Sequence, residues 1–108
     1  MKFPQPGRPV RGSQTGRPIM ALLDLLGRRW ALRVMWELRG APLNFRELRA
    51  ACGDPSPAIL NQRLAELRDA GILELTPNGY WPTPHGAELL AALAPLNAWA
   101  AAWARRVS

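Results

Sequence analysis

Residues 44–71, NFRELRAACGDPSPAILNQRLAELRDAG, read as two short helices separated by a tight Gly/Pro turn, with a compact hairpin directly after them. Asn44 with Glu47 three residues on has the form of a capping box, which opens a helix running to about Ala51. Gly53, Asp54 and Pro55 make the turn. Ser56 is then a good N-cap, and Pro57 takes the first helical position, where its missing N–H costs nothing. Leu60, Leu64 and Leu67 recur at helical spacing, so one stripe of this helix faces inward and Ala58, Asn61, Gln62, Ala65 and Glu66 are left outside. Gly71 is placed for a left-handed cap, Ile72 to Leu75 alternate as a strand, and Asn78-Gly79 favours a type I′ turn returning through Tyr80 and Trp81. Two helices and a hairpin in this order are the signature of a winged helix-turn-helix, whose second helix enters the major groove of duplex DNA.

Working outward, Ile19, Leu22, Leu23 and Leu26 repeat at three and four, and Gly27 is placed to end a first helix. Trp30 to Leu38 form a second, with Trp30, Val34 and Leu38 on one stripe, Ala31 beside it and Arg29, Arg33 and Glu37 on a polar edge. Gly40 and Pro42 stop that helix, and Leu43 is placed for a single strand rung. Thr83 and Pro84 repeat the cap-then-proline device and open a last helix to about Arg106, with a kink expected at Pro95. Leu89, Leu93, Leu96, Ala100 and Trp103 line one face of it, while Leu90, Trp99 and many Ala broaden the apolar surface beyond one packing face. The expected fold is therefore mainly α with a small β-hairpin: five helices in one winged helix-turn-helix domain over residues 19–108. Residues 1–18 are rich in Pro, Gly and cations with almost no large apolar side chain, and read as a flexible basic arm.

The chain has 108 residues, about one domain, and a core that is thin without a partner. Fourteen Lys and Arg against eight Asp and Glu leave a net charge of +6, which favours phosphate-rich partners. Thirteen of those cations are Arg, which with abundant Ala and Pro is also what a GC-rich genome produces. A lone cysteine excludes an internal disulfide and fits a reducing compartment. No apolar run approaches the roughly 20 residues of a spanning helix, and the N-terminus lacks a signal-peptide core. A cytoplasmic protein with no membrane partner is expected.

On the fourth helix, Ser56, Ala58, Asn61, Gln62 and Arg63 are the candidate DNA contacts, since an amide bonds bidentately to adenine and an arginine to guanine or phosphate. Arg63 lies nearer the core edge than Gln62, which suits a phosphate contact or a salt bridge better than a base. Arg46 and Arg49 on the third helix are candidate phosphate contacts, as is Arg29 or Arg33. Against each stands the plain alternative of a solvated helix face. Cys52, at the inner end of a short helix, reads as a small buried hydrophobe before it reads as a thiol switch. His85 has no second His or Cys cluster with which to bind metal, and no cofactor is implied. Five Trp are a heavy load; Trp30, Trp36, Trp99 and Trp103 suit core and dimer packing, or an aromatic pocket for a small flat effector at the dimer interface.

The segments LLDLLGRRWALRVMWEL, NFREL, ILNQRLAELRDAGIL and YWPTPHGAELLAAL resemble the HxlR family of bacterial winged-helix transcriptional regulators, related in fold to the MarR group. Gly27-x-x-Trp30, Phe45-x-Glu47-Leu48 and Leu60-x-x-Arg63-Leu64-x-x-Leu67-x-x-x-Gly71 occur together in the family's order. The resemblance implies a homodimer built from the first and last helices, where Leu22, Leu26, Leu93, Leu96, Trp99 and Trp103 supply the apolar contact. It also implies a fourth helix in the major groove and a wing near the backbone. Two departures are visible. Many members carry a redox-active cysteine just before the proline of the first helix, where this chain has Arg17 before Pro18. The wing, often long and basic in the family, is here Thr76 to Gly79 with Glu74 as its only charge. Asn78 is left as its DNA contact, and the arm cations Lys2, Arg8, Arg11 and Arg17 are expected to supply the missing attraction.

The expected function is sequence-specific binding of double-stranded DNA by a homodimer on a pseudo-palindromic operator, with repression by steric blockade. A winged helix used only for protein interaction is the second reading, since the wing is weakly charged and Ala58 and Ala65 are small. An enzyme is the weakest: one His, one Cys, no paired acidic motif and no Gly-rich phosphate loop offer no nucleophile and base.

Overall fold

Side-chain caps at Asn44, Ser56 and Thr83 open three of the described helices, as their residue types dictate. The computed structural model describes residues 17–108. Helix α1 spans Pro18–Leu26, α2 Ala31–Glu37, α3 Phe45–Ala51 and α4 Pro57–Asp69. Strands β1 (Leu73–Thr76) and β2 (Gly79–Pro82) form the hairpin, and the fifth helix is divided at Pro95 into α5 (Pro84–Leu93) and α6 (Pro95–Val107). The Asn44 side chain accepts from Glu47 N at 2.8 Å and the Glu47 carboxylate accepts from Asn44 N at 2.9 Å, completing the capping box. Ser56 Oγ accepts from Ile59 N at 3.1 Å. Helix α4 ends in a Schellman motif: Gly71 has φ +77°, its N–H donates to Arg68 O at 3.0 Å, and Ile72 N–H donates to Leu67 O at 2.9 Å.

The core gathers Leu25 of α1, Val34 and Met35 of α2 with Leu38 at its end, Leu48 and Cys52 around α3, Leu60, Leu64 and Leu67 of α4, and Ile72 and Leu73 at the hairpin base. Burying one such leucine contributes about 1.5–3 kcal/mol. Leu43 pairs with Tyr80 as a single bridge, Tyr80 N–H donating to Leu43 O at 2.8 Å, so the hairpin is fastened to the segment that opens α3. No described helix is long and apolar enough to cross a membrane.

Three expectations require correction. Trp30 lies outside α2, in the left-handed region at φ +77°, because the chain reverses between α1 and α2 within residues 27–30. Its indole still packs against the core. The hairpin pairs Thr76 with Gly79, so the two loop residues are Pro77 and Asn78 rather than Asn78 and Gly79. A type I′ turn needs positive φ at both loop positions, which proline's ring forbids, and Asn78 does not adopt it. Third, Glu66 is buried at 4 % exposure instead of facing outward, because it lies on the flank of α4 turned toward the α1–α2 loop, where Arg28 meets it. The kink expected at Pro95 is a break: with no N–H to give, proline ends the ladder of α5 and serves as the first residue of α6.

Two glycines are sites of close approach. A Cβ on Gly79, at φ +120°, would lie 2.5 Å from the carbonyl carbon and oxygen of Leu43, and one on Gly86 would lie 2.0 Å from Ile72 O. Gly86 thus lets the first turn of α5 rest on the hairpin base. Gly86→Ala is expected to cost about 1–3 kcal/mol by overpacking, read as a fall in the urea midpoint at unchanged m-value.

Cys52 is buried, and burial pushes its thiol above the ordinary value, Arg33 lowering it and Glu37 raising it to smaller extents. The folded thiol holds its proton longer than the unfolded one, so this contribution to stability is intact below the ordinary pKa and is lost as pH rises through the raised one. Native protein at neutral pH should resist a thiol reagent that labels the urea-unfolded chain at once; equal labelling rates would refute this placement.

Candidate nucleic-acid interface

Helix α4 presents its sides as the leucine spacing requires. Leu60, Leu64 and Leu67 are buried, while Asn61 and Gln62 are exposed together with Ser56, Pro57 and Ala58 at the helix start. Both amide side chains are therefore open to a partner, whereas the Ser56 hydroxyl caps the helix. Small residues at 57 and 58 let a flat surface approach the N-terminal turn, whose N–H groups carry partial positive charge.

The cations around α4 divide by how they are held. Arg46 on α3 is exposed and makes no hydrogen bond or ion pair among the described residues. Arg49, one turn on, is half-buried and donates through Nε to Pro55 O at 2.7 Å, bracing the turn that delivers α4. Arg33 is occupied by Glu37 at 2.6 Å and Ala51 O at 2.9 Å. Arg29 lies over the Trp30 ring at 5.4 Å from its centroid. Arg63 bonds Glu66 Oε1 at 2.6 Å and Arg29 O at 2.9 Å, with its side chain only 16 % exposed. The salt-bridge role is thus formed, and most of that guanidinium is turned into the protein.

Glu66 is the centre of this arrangement. Its second oxygen accepts from Arg28 at 2.5 Å, and Arg28 also pairs with Asp24 on α1 at 3.2 Å. The Asp24/Arg28 and Arg63/Glu66 spacings of four and three are legible on a helix. The link from Arg28 to Glu66, across 38 residues, carries no sequence signal.

At the hairpin tip Asn78 is exposed, its backbone N–H donating to Thr76 Oγ1 at 3.1 Å and its side chain making no hydrogen bond among the described residues. Arg17, just before α1, is exposed. Lys2, Arg8 and Arg11 lie outside the described residues.

Exposed apolar side chains also lie on α1, α2 and α6. Ile19 and Leu23, Leu32 and Trp36, and Leu96, Trp99, Trp103 and Val107 are all exposed. Trp99 and Trp103 stack on each other with centroids 6.0 Å apart and planes 13° apart. Leu22 and Leu93 are half-buried, and Leu26, expected on this surface, is instead packed inside the protomer at 8 % exposure. Ile19 and Leu23 take its place on the outer side, because α1 turns its Ala21/Leu25 side to the core. Within the protomer, Trp36 lines a cleft of about 340 Å³ between α2 and the α5–α6 junction, walled also by Leu32, Met35, Leu90 and Leu96. Arg39 stacks over its indole at 3.7 Å on the rim, a contact not foreseen from sequence.

The family described as HxlR-like helix-turn-helix matches residues 25–108. Among curated proteins, the HTH-type transcriptional regulator YvaP of Bacillus subtilis (strain 168) is 28 % identical over 88 residues, covering 75 % of this chain and 82 % of the relative. Among solved structures, quinone-bound YodB of B. subtilis superposes with TM-score 0.69 at 30 % identity, over 76 % of this chain and 93 % of that one. A protein of Thermoplasma volcanium GSS1, described as a possible HxlR family transcriptional factor, gives TM-score 0.70 at 26 % identity, over 82 % and 85 %. With a winged helix-turn-helix fold, an open amide-bearing second helix and a family match over most of its length, this chain belongs to the HxlR-like helix-turn-helix family and is a DNA-binding transcriptional regulator.

Proposed function

We propose that the chain acts as a homodimer that binds a pseudo-palindromic operator and represses transcription by occupying promoter DNA. The observation that carries this is the exposed pair Asn61 and Gln62 on a helix whose opposite side is locked into the core. Asn61 and Gln62 read base edges; Ser56 and Ala58 lie close to the groove at the helix start. Arg46 holds a phosphate. Arg49, through its remaining N–H groups, and Asn78 reach the backbone on either side, and the arm cations Lys2, Arg8, Arg11 and Arg17 enter an adjacent groove. The exposed apolar residues of α1 and α6 supply the dimer contact, which in turn sets two half-sites roughly 34–36 Å apart, or a multiple of that.

Footprinting on DNA flanking the chain's own gene tests the reading, with sedimentation equilibrium reporting the dimer. Arg46→Ala should weaken all sequences alike and flatten the slope of log K against log salt by about one, whereas Gln62→Ala should alter preference at one base pair by about 1–3 kcal/mol and leave the slope unchanged. An unaltered base preference in Gln62→Ala would displace the reading face from this side of α4.

A second element of the proposal concerns an effector. The cleft beside Trp36 is apolar and partly open, and a solved relative holds a quinone, so a flat, weakly polar molecule such as a quinone fits the cleft in size and chemistry. Titration with a soluble benzoquinone should quench tryptophan emission to a stoichiometric end point that is lost in Trp36→Leu. Linear, non-saturating quenching in both proteins would dismiss the site.

A further inference from the structure

Glu66 is the one buried charged or polar side chain among the described residues, and both its carboxylate oxygens are used, one by Arg28 and one by Arg63. Burying ions is not an efficient way to stabilise a fold, since well-packed apolar groups of like volume serve as well or better. What charge-assisted hydrogen bonds add is direction. The leucine stripe holds α4 against the core through contacts that are non-directional; a helix held only by such contacts can roll or slide slightly at small cost.

The polar contacts remove that freedom. Arg63 leaves α4 and donates to Arg29 O, while Arg28 leaves the same loop and meets Glu66, so α4 and the α1–α2 loop are joined at two points one helical turn apart. Arg28 is in turn paired with Asp24, on the helix that displays Ile19 and Leu23 outward. A continuous chain of ion pairs thus runs from the helix bearing the exposed apolar surface to the helix bearing Asn61 and Gln62.

We infer that Arg28, Glu66 and Arg63 are positioning residues for operator recognition: they do not touch DNA but set the roll and axial register of α4 against α1, and so the separation of the two reading helices in the dimer. This rests on the reading of α4 and the dimer proposed above, and it moves Arg63 from a DNA contact to a support. In a dimer, an error in α4 placement enters twice, once per protomer, and appears as a mismatch with half-site spacing.

The test measures binding of the full chain to duplexes carrying the footprinted half-sites at their natural separation and at separations altered by one and two base pairs, across a salt series. Glu66→Gln, Arg63→Met and Arg28→Met are compared with the double variant Arg28→Met/Glu66→Leu, which removes both charges together and keeps the test available if Glu66→Gln fails to fold. Circular dichroism and sedimentation confirm folding and assembly. Each folded variant should bind the natural spacing about two- to thirtyfold more weakly, change little on altered spacings, and keep the wild-type salt slope. A slope flattened by about one unit in Arg63→Met would identify Arg63 as a phosphate contact and overturn the inference. Undiminished spacing preference in every folded variant would likewise overturn it and leave the network a structural feature only. Wild-type protein that binds none of the duplexes would remove the reading of α4 itself, a result distinct from either.

Discussion

Everything in this molecule follows from the need to bury one side of a thirteen-residue helix while leaving the other bare. Leu60, Leu64 and Leu67 of α4 are sealed against Val34, Met35, Leu38 and Leu48, which come from two helices too short to be stable alone. Helices α2 and α3 have seven residues each and gain their stability from this shared contact, not from propensity. The exposed amides are then a by-product of the same periodicity. Between Leu60 and Leu64 the turn of α4 carries its side chains round the side away from the core, and there Asn61 and Gln62 are exposed.

Much of this was written plainly in the residues. The capping box at Asn44, the Ser56-Pro57 and Thr83-Pro84 starts, the glycine at 71 and the lone bridge at Leu43 are local devices, each decided by chemistry within a few residues, and each is found where the sequence puts it. The failures share a cause. The apolar character of Trp30 matches the α2 stripe, but the tight reversal after α1 puts its backbone in the left-handed region. The charge of Glu66 suggests solvent, but its partner Arg28 lies 38 residues away in a loop, and no local window of sequence contains both. Pro77 excluded the I′ turn that the Asn-Gly pair suggested; that conflict was local and could have been read.

The candidate interface was legible in type more than in detail. The leucine spacing of α4 places Asn61 and Gln62 on the outer side, and both are exposed. The cations were less transparent, because an arginine's availability depends on what else it can reach: Arg46 is open, Arg49 braces a turn, and Arg63 is held by Glu66 and a carbonyl. The apolar outer surface was similarly hard to apportion within α1. A broad hydrophobic helix does not say which of its residues turn inward; Leu26 faces the core while Ile19 and Leu23 face out.

The division of the last helix at Pro95 separates two mechanical duties. Helix α5 is keyed to the hairpin base by Gly86 and by the Thr83 hydroxyl, which donates to Gly71 O at 2.5 Å and accepts from Gly86 N at 3.1 Å. Beyond the missing N–H of Pro95, α6 has no buried residue of its own. It behaves as an outrigger: since none of its side chains is sealed into the core, substitutions along it should leave the stability of the remaining elements nearly unchanged, and its sequence is free to drift at little cost to the fold.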